Sequence, residues 1–117
     1  MNQINQITRL VKNGVKISAI LKEAYGNQKI SIPFNDGDFD VPLANLDLSV
    51  RSYNALRRHG LVTLDDVIKE FDKHGWSVIK NFGRTSAMEV FEKIIDFAWD
   101  NMSDAEKTDF LISIVED

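Results

Sequence analysis

The sequence predicts a mainly α-helical fold, in which a helix pair and a short β-hairpin precede a compact helical bundle. Apolar residues recur at spacings of three and four along most of the chain, as on the buried face of a helix. Residues with helix-capping side chains stand ahead of three such stretches, at Ser49, Thr63 and Ser103. We expect residues 1–43 to form an extension, and residues 44–117 to form the bundle with one extra helix at its carboxyl end.

Two helices are predicted near the amino terminus. Residues 3–12 end at the turn signal Asn13-Gly14, and a second helix follows from about Val15 to Tyr25. The apolar positions of the two helices are Ile4, Ile7, Leu10, Val11, Ile17, Ile20 and Leu21. We expect this pair to pack on the rest of the chain. The alternative is the opening of a helix-turn-helix, but no third helix follows directly to complete one.

A β-hairpin is predicted over residues 29–43. Its two strands alternate apolar and polar residues on either side of the turn signal Asp36-Gly37. The apolar positions are Ile30, Ile32, Phe34, Phe39, Val41 and Leu43. Pro33 and Pro42 limit both strands to edge-like pairing. Because an isolated hairpin is marginal in water, we expect its apolar face to rest on the amino-terminal helices.

Three further helices are predicted after the one that Ser49 caps. The first starts at Thr63 and closes at Gly75, and a short helical turn at 76–79 then leads into a helix from about Arg84 to Trp99. The last helix follows a capping box at 103–106. The predicted buried positions are Leu64, Val67, Ile68, Phe71, Ala87, Val90, Phe91, Ile94, Ile95, Ala98, Phe110, Leu111, Ile114 and Val115. The predicted outer positions of the long helix are Thr85, Ser86, Glu89, Lys93 and Asp96.

Two short stretches carry the signals for binding. The helix after Ser49 is predicted to have a basic side and an apolar side, formed by Arg51, Asn54 and Arg58 and by Val50, Tyr53 and Leu56, respectively. Gly83 stands just before the long helix, where a backbone without a Cβ lets another chain pass close and the first free N–H groups attract an anion. Together they predict a phosphate site and a basic helix.

These stretches resemble the C-terminal domain of the bacterial RNA polymerase alpha subunit. The shared pattern is Leu46-Asp47-Leu48-Ser49-Val50-Arg51-Ser52 with Asn54 and Leu56, then Asn81-Phe82-Gly83-Arg84 with Ser86 and Glu89, and the resemblance covers about residues 42 to 95. It implies a compact bundle of the SAM/helix-hairpin-helix-like type that grips the minor groove of A/T-rich DNA. The DNA contacts that the resemblance implies are Arg51, as the inserted side chain, and Asn54, Ala55, Gly83, Ser86 and Glu89. We add their neighbours Arg58, Arg84 and Thr85 to the candidate site.

Two features depart from that family. Thr85 stands where the family has a lysine, so we expect a lower DNA affinity unless Arg84 or Lys80 replaces the missing charge. The family's domain is also tethered to a large amino-terminal domain that dimerises and assembles the polymerase. The 117 residues have no room for it, so we expect a free-standing DNA-binding protein of transcription or its regulation.

A protein-binding module is the alternative function. In the family, an acidic edge ahead of the arginine helix contacts sigma factor. Asp47 matches one such position, while Asn45 lacks the charge of the other. Sigma factor, RNA polymerase or another regulator is therefore the alternative partner to double-stranded DNA.

Composition and residue spacing argue against a metal site, a catalytic site and a membrane-spanning segment. The sequence lacks cysteine, and His59 and His74 have no metal-ligand spacing, so we expect no metal and no cofactor. Asp65 and Asp66 point about 100° apart on a helix, so they do not form a catalytic pair and we expect no enzyme. The sequence has neither a long apolar run nor a signal-peptide pattern, which favours a cytoplasmic protein.

The charges are segregated along the sequence. The formal net charge of −4 argues mildly against nonspecific nucleic-acid binding. However, residues 49–60 contain three arginines and no acid, whereas residues 96–117 contain seven acids and one lysine. The basic helix therefore keeps a local charge that suits a phosphate backbone.

Overall fold

The computed structural model describes residues 3–25 and 37–115. The helices in these ranges are α1 (Gln3–Lys12), α2 (Ile17–Tyr25), α3 (Val50–Arg58), α4 (Leu64–His74), α5 (Arg84–Asp100) and α6 (Asp104–Val115), with a 3₁₀ turn at Leu43–Asn45. The prediction of a mainly helical fold is confirmed. No helix within the described ranges has the length and apolar character needed to span a membrane.

The described residues form two compact units. One contains the two ends of the chain, residues 3–25 and 95–115, and the other contains residues 37–94. Helix α5 belongs to the second unit up to Ile94 and to the first unit from Ile95 onward. In this division α6 groups with α1 and α2, which differs from the boundary at residue 43 that the sequence suggested.

The unit built from the two ends has its own apolar core, in which α1 packs against both α2 and α6. The buried members are Ile7, Ile17, Ile20, Leu21, Trp99, Phe110, Leu111 and Ile114. Complete burial of a leucine such as Leu21 or Leu111 stabilises a fold by about 2 kcal/mol. The amino-terminal helix pair therefore finds its packing partners near the other end of the sequence.

Asp96 of α5 caps helix α2 within this unit. Its carboxylate accepts hydrogen bonds from the backbone N–H of Ser18 at 3.0 Å and from Ser18 Oγ at 2.8 Å. The first N–H groups of a helix have no partner inside the helix, and a carboxylate also suits the positive end of the helix dipole. Asp96 is half-buried there, so its predicted place on the outside is wrong.

The second unit has a core to which α3, α4 and the first part of α5 contribute buried side chains. Leu56, Leu64, Val67 and Val90 have no exposed surface (0%). The other buried apolar residues are Phe39, Leu43, Ala55, Leu61, Ile79, Phe82, Ala87 and Ile94. The prediction that Phe91 is buried is wrong, because this side chain packs edge-on against the ring of Phe71 and stays 36% exposed.

The predicted helix starts at Ser49, Thr63 and Ser103 are confirmed. Each of these side chains accepts a hydrogen bond from the backbone N–H three residues later. Asp66 and Glu106 complete capping boxes by accepting from the backbone N–H of Thr63 and Ser103, respectively. Residues 76–79 form a hydrogen-bonded turn, in which the backbone N–H of residue 79 donates to the carbonyl of residue 76 at 3.1 Å.

The predicted hairpin is not supported. Its first strand, at 29–34, lies outside the described residues, and residues 39–43 do not form a strand. The N–H of Val41 turns back to the carbonyl of Phe39 at 2.8 Å, and Pro42 pairs with Thr63 in an isolated bridge. Phe39 and Leu43 are buried, and the backbone N–H groups of Leu64 and Asp65 donate to the carbonyls of Val41 and Phe39, so this segment packs on the start of α4.

Glu70 of α4 joins the end of α3 to α4. Its carboxylate hydrogen-bonds His74 Nδ1 at 2.6 Å on the same helix, and also His59 Nε2 at the C-cap of α3. The hydrogen bonds from His74 and from His59 lower the pKa of Glu70 below its ordinary value of 4.5. The two histidines therefore have a structural partner that helps to fix the orientation of α3.

Replacement of Asp96 should destabilise the unit formed by the two ends of the sequence. We expect Asp96→Ala to cost about 1–3 kcal/mol, because it leaves the part-buried N–H of Ser18 unpaired. Urea unfolding, followed by the fluorescence of the buried Trp99 in a Trp76→Phe background, measures this loss. Asp100→Ala, which removes an exposed acid of the same helix, is the control. Equal effects of the two changes would contradict the capping role of Asp96.

The contribution of Glu70 to stability should depend on pH. Because the pKa of Glu70 is lower in the folded state, its contribution is complete above about pH 4.5 and is lost as the pH falls through the folded-state pKa. We expect Glu70→Gln to lower the urea midpoint at neutral pH and to change it much less in strong acid. Asp72→Asn, an exposed acid on the same helix, is the control. A deficit of Glu70→Gln that persists in acid would contradict this linkage.

Candidate nucleic-acid interface

Helix α3 presents a polar, basic side to solvent. Arg51, Asn54 and Arg58 are all exposed, as predicted, and α3 contains no acidic residue in its first turn. Among the described residues, Arg51 takes part in no ion pair. Ala55, which was also a candidate contact, is only 3% exposed because it faces the core.

The predicted apolar side of α3 is only partly correct. Leu56 is fully buried and Tyr53 is half-buried, but Val50 is 76% exposed. Val50 is the first residue of the helix, where the backbone has only just left the loop. A helical spacing of apolar residues predicts which side a residue lies on, but it does not predict whether the core extends as far as the first turn.

The start of α5 forms the second part of the candidate site. Gly83, Arg84 and Thr85 are exposed, and no acidic residue lies in the first turn of α5. Phe82, just before them, is 5% exposed and contacts the ring of Phe71. This anchor fixes the loop to the core while Gly83, Arg84 and Thr85 stay exposed.

Ser86 and Gly83 differ from what the pattern alone suggested. Ser86 is only 8% exposed, so its predicted outer position is wrong, although it lies in the first turn of the exposed helix start. At Gly83 the backbone is not left-handed, and an added Cβ would meet no atom within 4 Å. The fold of the described residues therefore does not itself require glycine at position 83. What the glycine provides is open space in front of the backbone.

Glu89 connects the two parts of the site. Its Oε2 accepts a hydrogen bond from the backbone N–H of Ser49 at 2.7 Å, and its Oε1 accepts from Ser49 Oγ at 2.9 Å and from Ser52 Oγ at 2.5 Å. Burial acts to raise the pKa of Glu89, but the hydrogen bonds from Ser52 and Ser49 outweigh it and hold the pKa below its ordinary value. Glu89 is therefore an ionised side chain held against the start of α3.

These hydrogen bonds bring the first turn of α3 beside the first turns of α5. Gly83 precedes Glu89 by six residues, which corresponds to about 9 Å along a helix axis. Arg51 lies between the two serines that Glu89 binds. The hydrogen bonds of Glu89 to Ser49 and Ser52 thus connect the turn that carries the exposed Arg51 to the helix that starts at the exposed Arg84.

Four acidic residues of this unit are engaged in contacts that hold the fold together. Asp65 accepts from the N–H of Gly37 at 3.2 Å and pairs with Lys69 at 2.9 Å. Asp66 caps α4, and Glu70 and Glu89 bind histidines and serines, respectively. The positive charges of α3 therefore face solvent without an acidic neighbour on their own helix.

Asp47, the candidate partner contact, lies two residues before Ser49, in the loop that leads into α3. It is exposed, and its backbone has a positive φ of 53°. Aspartate is one of the few non-glycine residues that adopt this conformation readily. The left-handed turn at Asp47 reverses the backbone just before the Ser49 cap.

Sequence reasoning missed Ser52 as a member of the site. Its side chain is 0% exposed, yet it makes the shortest of the three hydrogen bonds to Glu89. No local pattern could have paired it with a residue 37 positions later in the sequence. The only available signal was that both residues fall inside one family pattern.

Comparison with known proteins agrees with the resemblance. The family model for the C-terminal domain of the alpha subunit of bacterial RNA polymerase matches residues 34–96. DNA-directed RNA polymerase subunit alpha of Tropheryma whipplei (strain Twist) is 42% identical over 65 residues, which cover 56% of this protein and 20% of that subunit. The subunit of the same name from Gloeobacter violaceus is 45% identical over 56 residues, covering 48% of this protein and 18% of that subunit.

A longer match reaches beyond the family segment. DNA-directed RNA polymerase subunit alpha of Desulforudis audaxviator is 29% identical over 102 residues, which cover 84% of this protein and 32% of that subunit. The 117 residues thus span less than a third of each of these three relatives. No solved structure matches the sequence significantly. Because the family model matches more than half of the sequence, including all of α3 and the start of α5, this protein belongs to the family of C-terminal domains of bacterial RNA polymerase alpha subunits.

Proposed function

We propose that this protein binds double-stranded DNA in transcription, through the minor groove of A/T-rich sequence. One observation carries the proposal. Arg51 is exposed and in no ion pair among the described residues, and the hydrogen bonds of Glu89 connect its helix to the exposed start of α5. Family membership supports the same role, since the matched segment contains both parts. The other candidate contacts on the exposed surface are Asn54, Arg58, Arg84 and Thr85.

The minor groove offers a physical reason for an arginine at position 51. A-tracts have a narrow minor groove with enhanced negative potential, which attracts an inserted guanidinium. Asn54 follows Arg51 by three residues, so the two lie on the same side of α3 and Asn54 can reach the groove edge or the sugar-phosphate backbone. The side chain of Arg51 would supply the preference for A/T sequence.

The start of α5 offers a site for a flanking phosphate. Its free N–H groups and the positive end of the helix dipole favour an anion. Gly83 leaves room for a phosphate to approach the backbone, and Arg84 adds a charge beside it. Since Thr85 contributes no charge, we expect weak binding, with a Kd of roughly 10⁻⁶ M or higher and a steep loss on adding salt.

Asp47 supports a second candidate function, contact with a partner protein such as sigma factor. Its carboxylate is exposed and held by a left-handed turn immediately before α3. This position adjoins the proposed DNA surface, so a protein bound next to the same DNA could reach it. Capture of sigma factor or RNA polymerase that is lost in Asp47→Ala and kept in Arg51→Ala would support this second role.

Arg51 should be the main determinant of affinity and of A/T preference. We expect Arg51→Ala to weaken binding to an A/T-rich duplex by about 1–3 kcal/mol and to remove its preference over a G/C-rich duplex. Fluorescence anisotropy with both duplexes at two salt concentrations measures this. Arg57→Ala removes another exposed charge of α3, outside the candidate set, and is the control. Equal losses in both variants, or no preference in the unchanged protein, would contradict minor-groove insertion.

Changes at Gly83 should affect stability and DNA binding in opposite directions. Aspartate is a good helix cap, so Gly83→Asp should leave stability unchanged or raise it by up to about 1 kcal/mol. The same carboxylate would repel a phosphate, so we expect at least a tenfold loss of DNA affinity, that is, about 1.4 kcal/mol or more. Gly83→Asn, which has the same shape without the charge, separates crowding from repulsion. Unchanged DNA affinity in Gly83→Asp would rule out a phosphate at this helix start.

A further inference from the structure

We infer that Glu89 is a positioning residue for DNA binding, which acts by holding the first turn of α3, and with it Arg51, and does not itself touch DNA. This inference rests on the proposed function, and it assigns to Glu89 a role different from the direct contact that the family resemblance implied. It also brings Ser49 and Ser52 into the binding machinery as the groups through which Glu89 acts.

The hydrogen bonds of Glu89 all go to α3 and its cap. Both carboxylate oxygens are used by donors of α3 and its cap, with two hydroxyl groups on Oε1 and a backbone N–H on Oε2. Hydrogen bonds to an ionised acceptor are about twice as strong as neutral ones. Of the roughly four acceptor positions of a carboxylate, three are already used, so little capacity is left for a DNA base.

The charge of Glu89 also argues against direct contact. A carboxylate next to a phosphate backbone is repelled, whereas the surrounding exposed residues of α3 and of the first turn of α5 include no acid. The internal hydrogen bonds explain why an acid is nevertheless present here. Its charge stabilises the start of α3, where three N–H and O–H donors converge.

Arg51 is the residue that this arrangement immobilises. It lies between Ser49 and Ser52, and both of these serines are tied to Glu89 and to each other, since Ser49 Oγ accepts from the N–H of Ser52 at 3.2 Å. An arginine on a fixed backbone loses less entropy when it enters a narrow groove than one on a frayed helix end. Loosening this turn should therefore weaken DNA binding without removing any contact with DNA.

Ser52 provides a way to test the inference, because it is 0% exposed and cannot reach DNA. Ser52→Ala removes one of the hydroxyl donors of Glu89. Glu89→Gln removes the charge and leaves a single carbonyl oxygen, so its NH₂ group faces either the N–H of Ser49 or the two hydroxyl groups. Both variants weaken the hydrogen bonds at the start of α3, one at the acceptor and one at a donor. Ser52 is buried, so its replacement cannot remove a contact with DNA.

The experiment measures the affinity of four proteins for an A/T-rich duplex: the unchanged protein, Glu89→Gln, Ser52→Ala and the double variant. If Glu89 positions α3, we expect about a tenfold loss for Glu89→Gln, a smaller loss for Ser52→Ala, and a double variant hardly weaker than Glu89→Gln alone. If Glu89 touches DNA, Ser52→Ala leaves the affinity unchanged. If Glu89 mainly repels phosphate, Glu89→Gln binds more tightly. Either of the last two results would overturn the inference.

A second readout uses the protein without DNA. Hydrogen exchange should become faster at the amides of the first turn of α3 in both single variants, and unfolding midpoints would show whether a variant is simply less stable overall. Glu106→Gln, which alters a capping carboxylate in the other unit, is the matched control and should change neither α3 exchange nor affinity. Failure of the unchanged protein to bind DNA would refute the proposed function. Unchanged exchange in α3 would refute the positioning role.

Discussion

The hydrogen bonds between Glu89 and the two serines at the start of α3 are the contact on which the candidate site depends. Helices α3 and α5 are separated by α4 in the sequence, and only a long-range contact can place their amino-terminal ends side by side. One carboxylate does this by meeting the unpaired donors of a helix start. The half-buried Glu89 therefore joins the two helices that carry the exposed basic residues.

The same principle recurs throughout the fold. Asp66 and Glu106 complete capping boxes, Asp96 caps α2 from another helix, and Glu70 binds a histidine at the end of α3. Asp66, Glu106 and Asp96 each accept a backbone N–H at a helix start, where such groups have no partner inside the helix. Glu70 differs, since it holds a side chain at the C-cap of α3. In α3 the arginines remain exposed although carboxylates contact both ends of the helix, because Glu89 is hydrogen-bonded to Ser49 and Ser52 and Glu70 to His59. Net charge alone is a poor guide to what such a protein binds.

Local patterns predicted the helices and their starts well, because caps and apolar spacing are local properties. Ser49, Thr63 and Ser103 are the caps that the sequence indicated. The prediction failed where distant residues decide the outcome. Residues 39–43 alternate like a strand, but tight turns occupy their backbone groups and their partner is the start of α4. The hydrogen bonds between Glu89 and α3 could not be predicted either, because helical spacing put Glu89 on the outer side and its partner Ser52 has no local signature.

The grouping of the two ends of the sequence has a consequence for how the protein is made. Residues 37–94 form a continuous unit, whereas α1 and α2 share their core with residues that follow that unit in the sequence. During synthesis at about 5–20 residues per second, the first two helices leave the ribosome several seconds before α6 exists. Their apolar faces, which include Ile17 and Leu21, stay uncovered for that time. The unit of residues 37–94 can therefore be complete before α6 is present to cover the apolar faces of α1 and α2.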